Sequence, residues 1–335
     1  MRMDLLHSAP TQIFSLFKLL AYPSLHGDAH GDRIDSAFSD IDPTGRSIID
    51  VGLNDCESLV LAVARGFAVF GIEPRLESLE LCRQKLRQRN ALWVDVDVTS
   101  RRSIIEAQRH YSQYLANHGT RKSGVAYLYL AALSNSSGVA NITLARGSST
   151  LAPTLFAKSH TLSAQVRKAA GVVGGTWPRR QVPLVRLDEL VALDAWVLKL
   201  DVQGFEYFAL QGASGLFARH TIAHVLTEFS PRGLKEAGVP QPRALIDLLK
   251  GFGFLCFDLR DGGSSLRAPW ALPKTHALGV EAYLREMDSN EQRGLLSDEH
   301  NRSGRASLWA DRYGSFDDLG CMNVAKEWRP TAAPT

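Results

Sequence analysis

The chain has 335 residues, 45% hydrophobic and 22% charged, which is the make-up of an ordinary globular protein able to bury a large core. A formal net charge of +3 gives no reason to expect a nucleic-acid partner or an anionic membrane surface. The four cysteines, Cys56, Cys82, Cys256 and Cys321, form no C-x-x-C pair and have no histidine at zinc spacing, so neither a metal site nor a dense disulfide framework is expected. A reducing, cytoplasmic setting follows from that expectation.

The apolar stretch from Ile13 to Leu20 is interrupted by Lys18 and ended by Pro23, too short for a membrane span. It reads as an amphipathic helix, with a weak targeting role as the alternative. Residues 1–44 are therefore a helix and a loop leading into a domain at 45–260, and 261–335 are a C-terminal extension. Within the domain, strand Ser47–Val51, helix Glu57–Arg65, strand Phe67–Ile72 and helix Leu76–Gln88 alternate as parallel β-α-β units do. The strands are continuous apolar runs, which suits a parallel sheet covered on both faces. The basic residues from Arg83 to Arg89 alternate with leucines and read as a solvated helix face.

Ala91–Val98 reads as a candidate strand, residues 95–122, with a polar helix at 101–117, as an insertion beside the sheet, and Val125–Leu133 as the next strongly apolar strand. Gly138–Leu144 is expected as an edge or hairpin strand after the turn at 135–138. Residues 146–181 lack periodicity and carry Gly171, Gly174, Gly175 and Trp177, so they read as an irregular, substrate-facing loop. Regular elements resume with strands at 182–186, 195–200, 222–228 and 252–258.

Three strand endings carry chemistry. The run Asp50-Val51-Gly52-Leu53-Asn54 ends one strand in an acid and a glycine, and Glu73 ends the next, 23 positions on. That is the layout of a nucleoside site in a doubly wound sheet, where the second acid receives ribose hydroxyls. The turn lacks a full G-x-G-x-x-G, since Asn54 and Cys56 occupy it, so a ligand without a pyrophosphate fits better than a dinucleotide. In Lys199-Leu200-Asp201-Val202-Gln203-Gly204-Phe205-Glu206 a second apolar strand delivers Asp201 to the same sheet edge. Asp201 there can attract a cationic ligand or take a proton, whereas Glu206 reads first as an acid favouring the positive end of the following helix.

Together with Ile72-Glu73-Pro74, the stretch from Ala132 to Gly138, Val185-Arg186-Leu187-Asp188-Glu189-Leu190 and Thr227-Glu228, these motifs resemble, in order, those of FkbM-type methyltransferases. The resemblance covers about residues 45–260. It implies an α/β class I methyltransferase fold, a Rossmann-like doubly wound sheet of seven strands, and S-adenosyl-L-methionine as cofactor. The acceptor it implies is a hydroxyl on a small molecule or glycan. Carried over by position, Asp50, Gly52 and Asn54 line the methionine side, Glu73 binds the ribose, and Ala132 to Ser134 lie near the adenine. Asp201 lies near the methionine amine or the transferring methyl, and is the first candidate for general base, with Glu228 the second. No metal ligand is implied.

Cys56 stands where the family usually has a second glycine, and Gln203 where it usually has an acid. Those departures motivate one alternative, a catalytically silent binding module. Glu73 at the ribose position motivates another, a nicotinamide-dependent oxidoreductase. Trp177, Arg179 and Arg180 are candidate acceptor contacts, and the oligomeric state is not readable from the sequence.

Overall fold

The computed structural model describes residues 41–117, 124–145, 148–151, 178–258 and 317–326, together with residues 285 and 289. The expected N-terminal helix, Trp177 and most of the expected 146–181 loop lie outside them.

Alternation begins at β1 (Ser47–Val51), all five residues buried, followed by α1 (Glu57–Ala64), β2 (Ala68–Glu73) and α2 (Leu76–Gln88). After β3 (Leu92–Val96), α3 (Arg101–Ala116) and β4 (Val125–Leu130) come β5 (Ala132–Leu133), β6 (Gly138–Ala145), β7 (Ser148–Thr150) and β8 (Arg179–Val185). The chain continues through α4 (Leu187–Leu190), β9 (Ala195–Leu200), α5 (Glu206–Gln211), α6 (Ser214–Arg219) and β10 (Ile222–Phe229). It ends in α7 (Pro231–Glu236), α8 (Arg243–Gly251), β11 (Phe254–Asp258) and β12 (Asp317–Asn323).

The main sheet has the order β11-β12-β10-β9-β1-β2-β4-β3. It is parallel from β10 to β3, and β12 runs antiparallel between β10 and β11. Strand alternation sends side chains to opposite faces. Ile49, Val51, Phe70, Tyr127 and Leu198 join one apolar layer with α3, α4, α5, α6 and α8. Ile48, Val69, Ala126, Leu128 and Val197 join the other with α1 and α2. This is the expected doubly wound α/β sheet, and each fully buried Ile or Val contributes about 1.5–3 kcal/mol.

The structure corrects four expectations. The sheet has eight strands rather than seven, because Leu92–Val96 pairs with β4 as an added edge. The helix after it does not lie aside: Ala107, Tyr111, Tyr114 and Leu115 are buried in the core, and Phe70 packs edge-on to Tyr111. The segment assigned to a C-terminal extension supplies β12, whose Leu319 and Cys321 are buried between two strands of the domain. Gly138–Ala145 pairs antiparallel with β7 as a hairpin strand, but it is inner rather than an edge, in a separate sheet of four described strands, order β5-β8-β6-β7.

All four cysteines are paired, Cys56 with Cys82 and Cys256 with Cys321. The sequence expectation of scattered thiols fails because the partners are brought together only by packing. Cys256 and Cys321 sit directly opposite each other on β11 and β12, and Cys56 and Cys82 meet where α1 packs on α2. Among the described residues no helix is long and apolar enough to cross a membrane.

Candidate cofactor cleft

Strand order reverses at β1, which pairs with β2 on one side and β9 on the other. Ligands of open α/β sheets bind outside the carboxyl ends of the strands at such a point. A cleft with about 640 Å³ of empty space opens there, lined by Val51, Gly52, Asn54, Glu73, Arg75, Ala132, Leu133, Asp201 and Gln203 among others. Ile142 and Leu151, from β6 and the segment after β7, add an apolar wall from the second sheet.

Each loop at the cleft is held by a buried glutamate. Glu73 Oε2 accepts from the backbone N–H groups of Leu53 (2.9 Å) and Asn54 (3.3 Å), and Oε1 from Arg75 (2.9 Å). Burial holds its pKa above the usual carboxylate value, against the smaller lowering by the three backbone donors and the Arg75 charge. Glu206 does the same for the other loop, its Oε1 accepting from Val202 and Gly204, both at 3.1 Å. Its Oε2 is buried with no hydrogen-bond partner among the described residues. Burial, with a smaller contribution from the Asp201 charge, pushes the Glu206 carboxyl up to about 7 against its own backbone donors. So Glu206 is a turn clamp that begins the helix, deeper than the helix-end acid expected.

A carboxyl with a raised folded-state pKa favours folding most where it is protonated in both states, and that advantage is lost as pH rises from the unfolded value toward the folded one. Between pH 5 and 8 the melting temperature of the native chain should therefore fall relative to Glu206→Gln. The variant keeps a carbonyl acceptor for the two amides and removes the titration. Melting curves across that range check it, and parallel curves would contradict the assignment.

Gly52 sits at φ +85°, and a Cβ there would lie 1.9 Å from the Asp201 carbonyl oxygen. The two loops are thus in backbone contact, fixed further by Asp201 N–H donating to Val51 O at 3.0 Å.

Asp50 does not line the cleft. It is fully buried beneath the loop, where Oδ1 accepts from Lys199 Nζ (3.0 Å) and Oδ2 from Ser58 Oγ (2.7 Å). Lys199, opposite it in register on β9, also donates to Gly52 O at 3.0 Å. The pair shapes the glycine turn from below. Ser134 is likewise buried outside the cleft lining, its N–H on Val185 O.

Gln203 brings the two candidate bases together. Its Nε2 donates to Asp201 Oδ1 at 2.9 Å and to Glu228 Oε2 at 3.3 Å, from a left-handed backbone (φ +53°). Arg180 is committed elsewhere, in a two-point pair with Glu77. Arg75 and Phe205, which line the cleft, and Lys199, which supports its glycine turn from below, were not singled out from the sequence. For Lys199 the signal was a charge inside the apolar run Trp196-Val197-Leu198-Lys199-Leu200.

A family model described as the methyltransferase FkbM domain matches residues 50–256. Among solved structures the chain is similar to methyltransferase FkbM from Methylobacillus flagellatus KT, at 11% identity over 64% of this chain and 38% of that one, TM-score 0.32. The chain thus spans well under half the length of that structure. It is also similar to the StiE O-MT, at 9% identity over 94% and 90% of the two chains, TM-score 0.35. Geranyl diphosphate methyltransferase in complex with SAM follows at 12% identity over 88% of each, TM-score 0.31. No curated protein matches. The family match runs from the acid that ends β1 into β11 and takes in both loops of the cleft, and the chain belongs to the FkbM methyltransferase domain family.

Proposed function

We propose that this methyltransferase uses S-adenosyl-L-methionine and methylates a hydroxyl of a small molecule or glycan. The observation that carries the reading is the cleft at the β1/β9 switch point, with a glutamate-held loop on one rim and Asp201 on the other, linked through Gln203 to Glu228.

The residues present fit the cofactor. Glu73 keeps lone pairs that can accept from ribose hydroxyls, Ala132, Leu133 and Ile142 offer an apolar surface to the adenine, and Asp201 suits an ammonium or sulfonium charge. Nothing in the cleft resembles a glycine-rich phosphate cradle, and the family assignment removes the motive for a nicotinamide-dependent oxidoreductase. When bound, the cofactor supplies an electrophilic methyl on a sulfonium.

The chain's own part is positioning and proton removal. The cleft holds the acceptor oxygen in line and sheds water, which for such a displacement accounts for much of the acceleration. A hydroxyl must also lose its proton, and Asp201 at the cleft edge takes it, with Glu228 next to it across Gln203. Gln203 donates to both carboxylates and so holds Asp201 and Glu228 side by side at the cleft edge. Gln203 thus has a role in the site in place of the usual acid, and Cys56 is occupied in a disulfide. The silent-module alternative loses its two motives.

Asp201→Asn should lower methyl transfer from labelled cofactor by about 10²–10⁴-fold while the protein still binds S-adenosylhomocysteine. Assays run on extracts, with mass spectrometry of the products, test this and identify the acceptor. Undiminished transfer would remove Asp201 as the base.

A further inference from the structure

Resting on the cofactor reading above, we propose that Cys82 and Lys85, both on α2 and outside the cleft, are positioning residues for the cofactor. Cys82 through its disulfide with Cys56, and Lys85 through Asp55 O and the Glu57 carboxylate, hold the loop between β1 and α1 in its binding geometry, so cofactor affinity depends on the thiol–disulfide state of the chain.

The loop is tied residue by residue. Glu73 holds the N–H groups of Leu53 and Asn54. Lys85 Nζ donates to Asp55 O at 2.8 Å and pairs with the Glu57 carboxylate. Cys82 holds Cys56, which caps α1 without any side-chain capping bond. These ties act on a strained backbone, since Asn54 (φ +47°) and Cys56 (φ +68°) both occupy the left-handed region that L side chains disfavour. Such conformations persist only where the surroundings over-determine them. Asn54 lines the cleft, two residues before Cys56. The cystine is the covalent member of the set. Cutting it leaves Cys56 able to relax toward negative φ and to carry Asn54 away from the ligand.

Reduction by a dithiol balances simply. The dithiol gives two electrons and two protons, the Cys56–Cys82 S–S bond breaks to two thiols, and the reductant closes to its own disulfide. Both cysteines are fully buried, so exchange requires the loop to open first. Cofactor that holds the loop closed therefore slows reduction, and by linkage it also opposes it at equilibrium. Loss of one left-handed restraint corresponds to roughly tenfold in affinity. The reciprocal effect is a midpoint potential about 30 mV lower at saturating ligand.

The test is calorimetry of S-adenosylhomocysteine binding to the full chain, oxidised and after dithiothreitol, with Cys82→Ser and Cys56→Gly. Expected is a Kd about tenfold weaker on reduction and in Cys82→Ser. Cys56→Gly also lacks the disulfide, but glycine adopts the left-handed turn freely, so it should bind like the oxidised chain and ignore dithiothreitol. A cystine that served stability alone would lower the melting temperature of both variants and leave both affinities unchanged. Equal Kd in the oxidised and reduced chain, or a Cys56→Gly as weak as Cys82→Ser, overturns the proposal and leaves the cofactor reading intact. Absence of binding by the oxidised chain overturns both.

Discussion

Gly52→Ala should abolish S-adenosylhomocysteine binding and destabilise the fold by about 4 kcal/mol. The added Cβ would lie 1.9 Å from the Asp201 carbonyl oxygen, so β1 and β9 must separate at the point where both cleft loops begin. The φ of +85° adds strain that no rotamer relieves. Asp201 would lose its bond to Val51 O, and the cleft would lose its floor. Gly238 provides the control, since it has a similar φ of +97° but nothing within 4 Å of an added Cβ. Gly238→Ala should cost only about 1 kcal/mol and leave binding unchanged. Denaturant melts and calorimetry on the two variants separate backbone strain from collision.

The second large effect concerns the buried pair. Lys199→Met leaves Asp50 charged and fully buried with only the Ser58 hydroxyl, and should cost about 3–5 kcal/mol. For a domain of this size that is a melting temperature lower by about 10 °C. The Gly52 carbonyl also loses its Nζ donor, so cofactor affinity should fall along with stability. Adding Asp50→Asn removes the orphaned charge and should restore most of the stability while binding stays weak. If the double variant were no more stable than Lys199→Met, the charge of Asp50 would not be the cause.

The parts of this arrangement written in local pattern were readable from the sequence. Buried strands such as Ser47–Val51 and Ala195–Leu200 announce themselves as apolar runs, and their acid-glycine endings placed both loops on one sheet edge. The direction of each acid was not readable. Asp50 and Asp201 have similar contexts, yet Asp50 is buried under the loop against Lys199, its neighbour in strand register, while Asp201 lines the cleft. Only the pairing of β1 with β9 reveals the difference. Glu206 was read as a helix-end acid because its two backbone partners lie in the preceding turn rather than in its own helix. β12 escaped notice because Asp-Asp-Leu-Gly-Cys-Met-Asn has neither an apolar run nor clean alternation; its place is set by β10 and β11 on its two sides. The disulfides escaped for a similar reason, since 26 and 65 residues separate the partners.

On the proposed function, the β1/β9 cleft takes a sulfonium nucleoside on the loop that Glu73 holds. Calorimetry of the oxidised, folded chain with S-adenosylhomocysteine, with NADH as the competing nucleotide, tests it most directly. One site per chain is expected for S-adenosylhomocysteine, and no heat with NADH. A folded sample that gives no heat with S-adenosylhomocysteine, or that binds NADH instead, would contradict it.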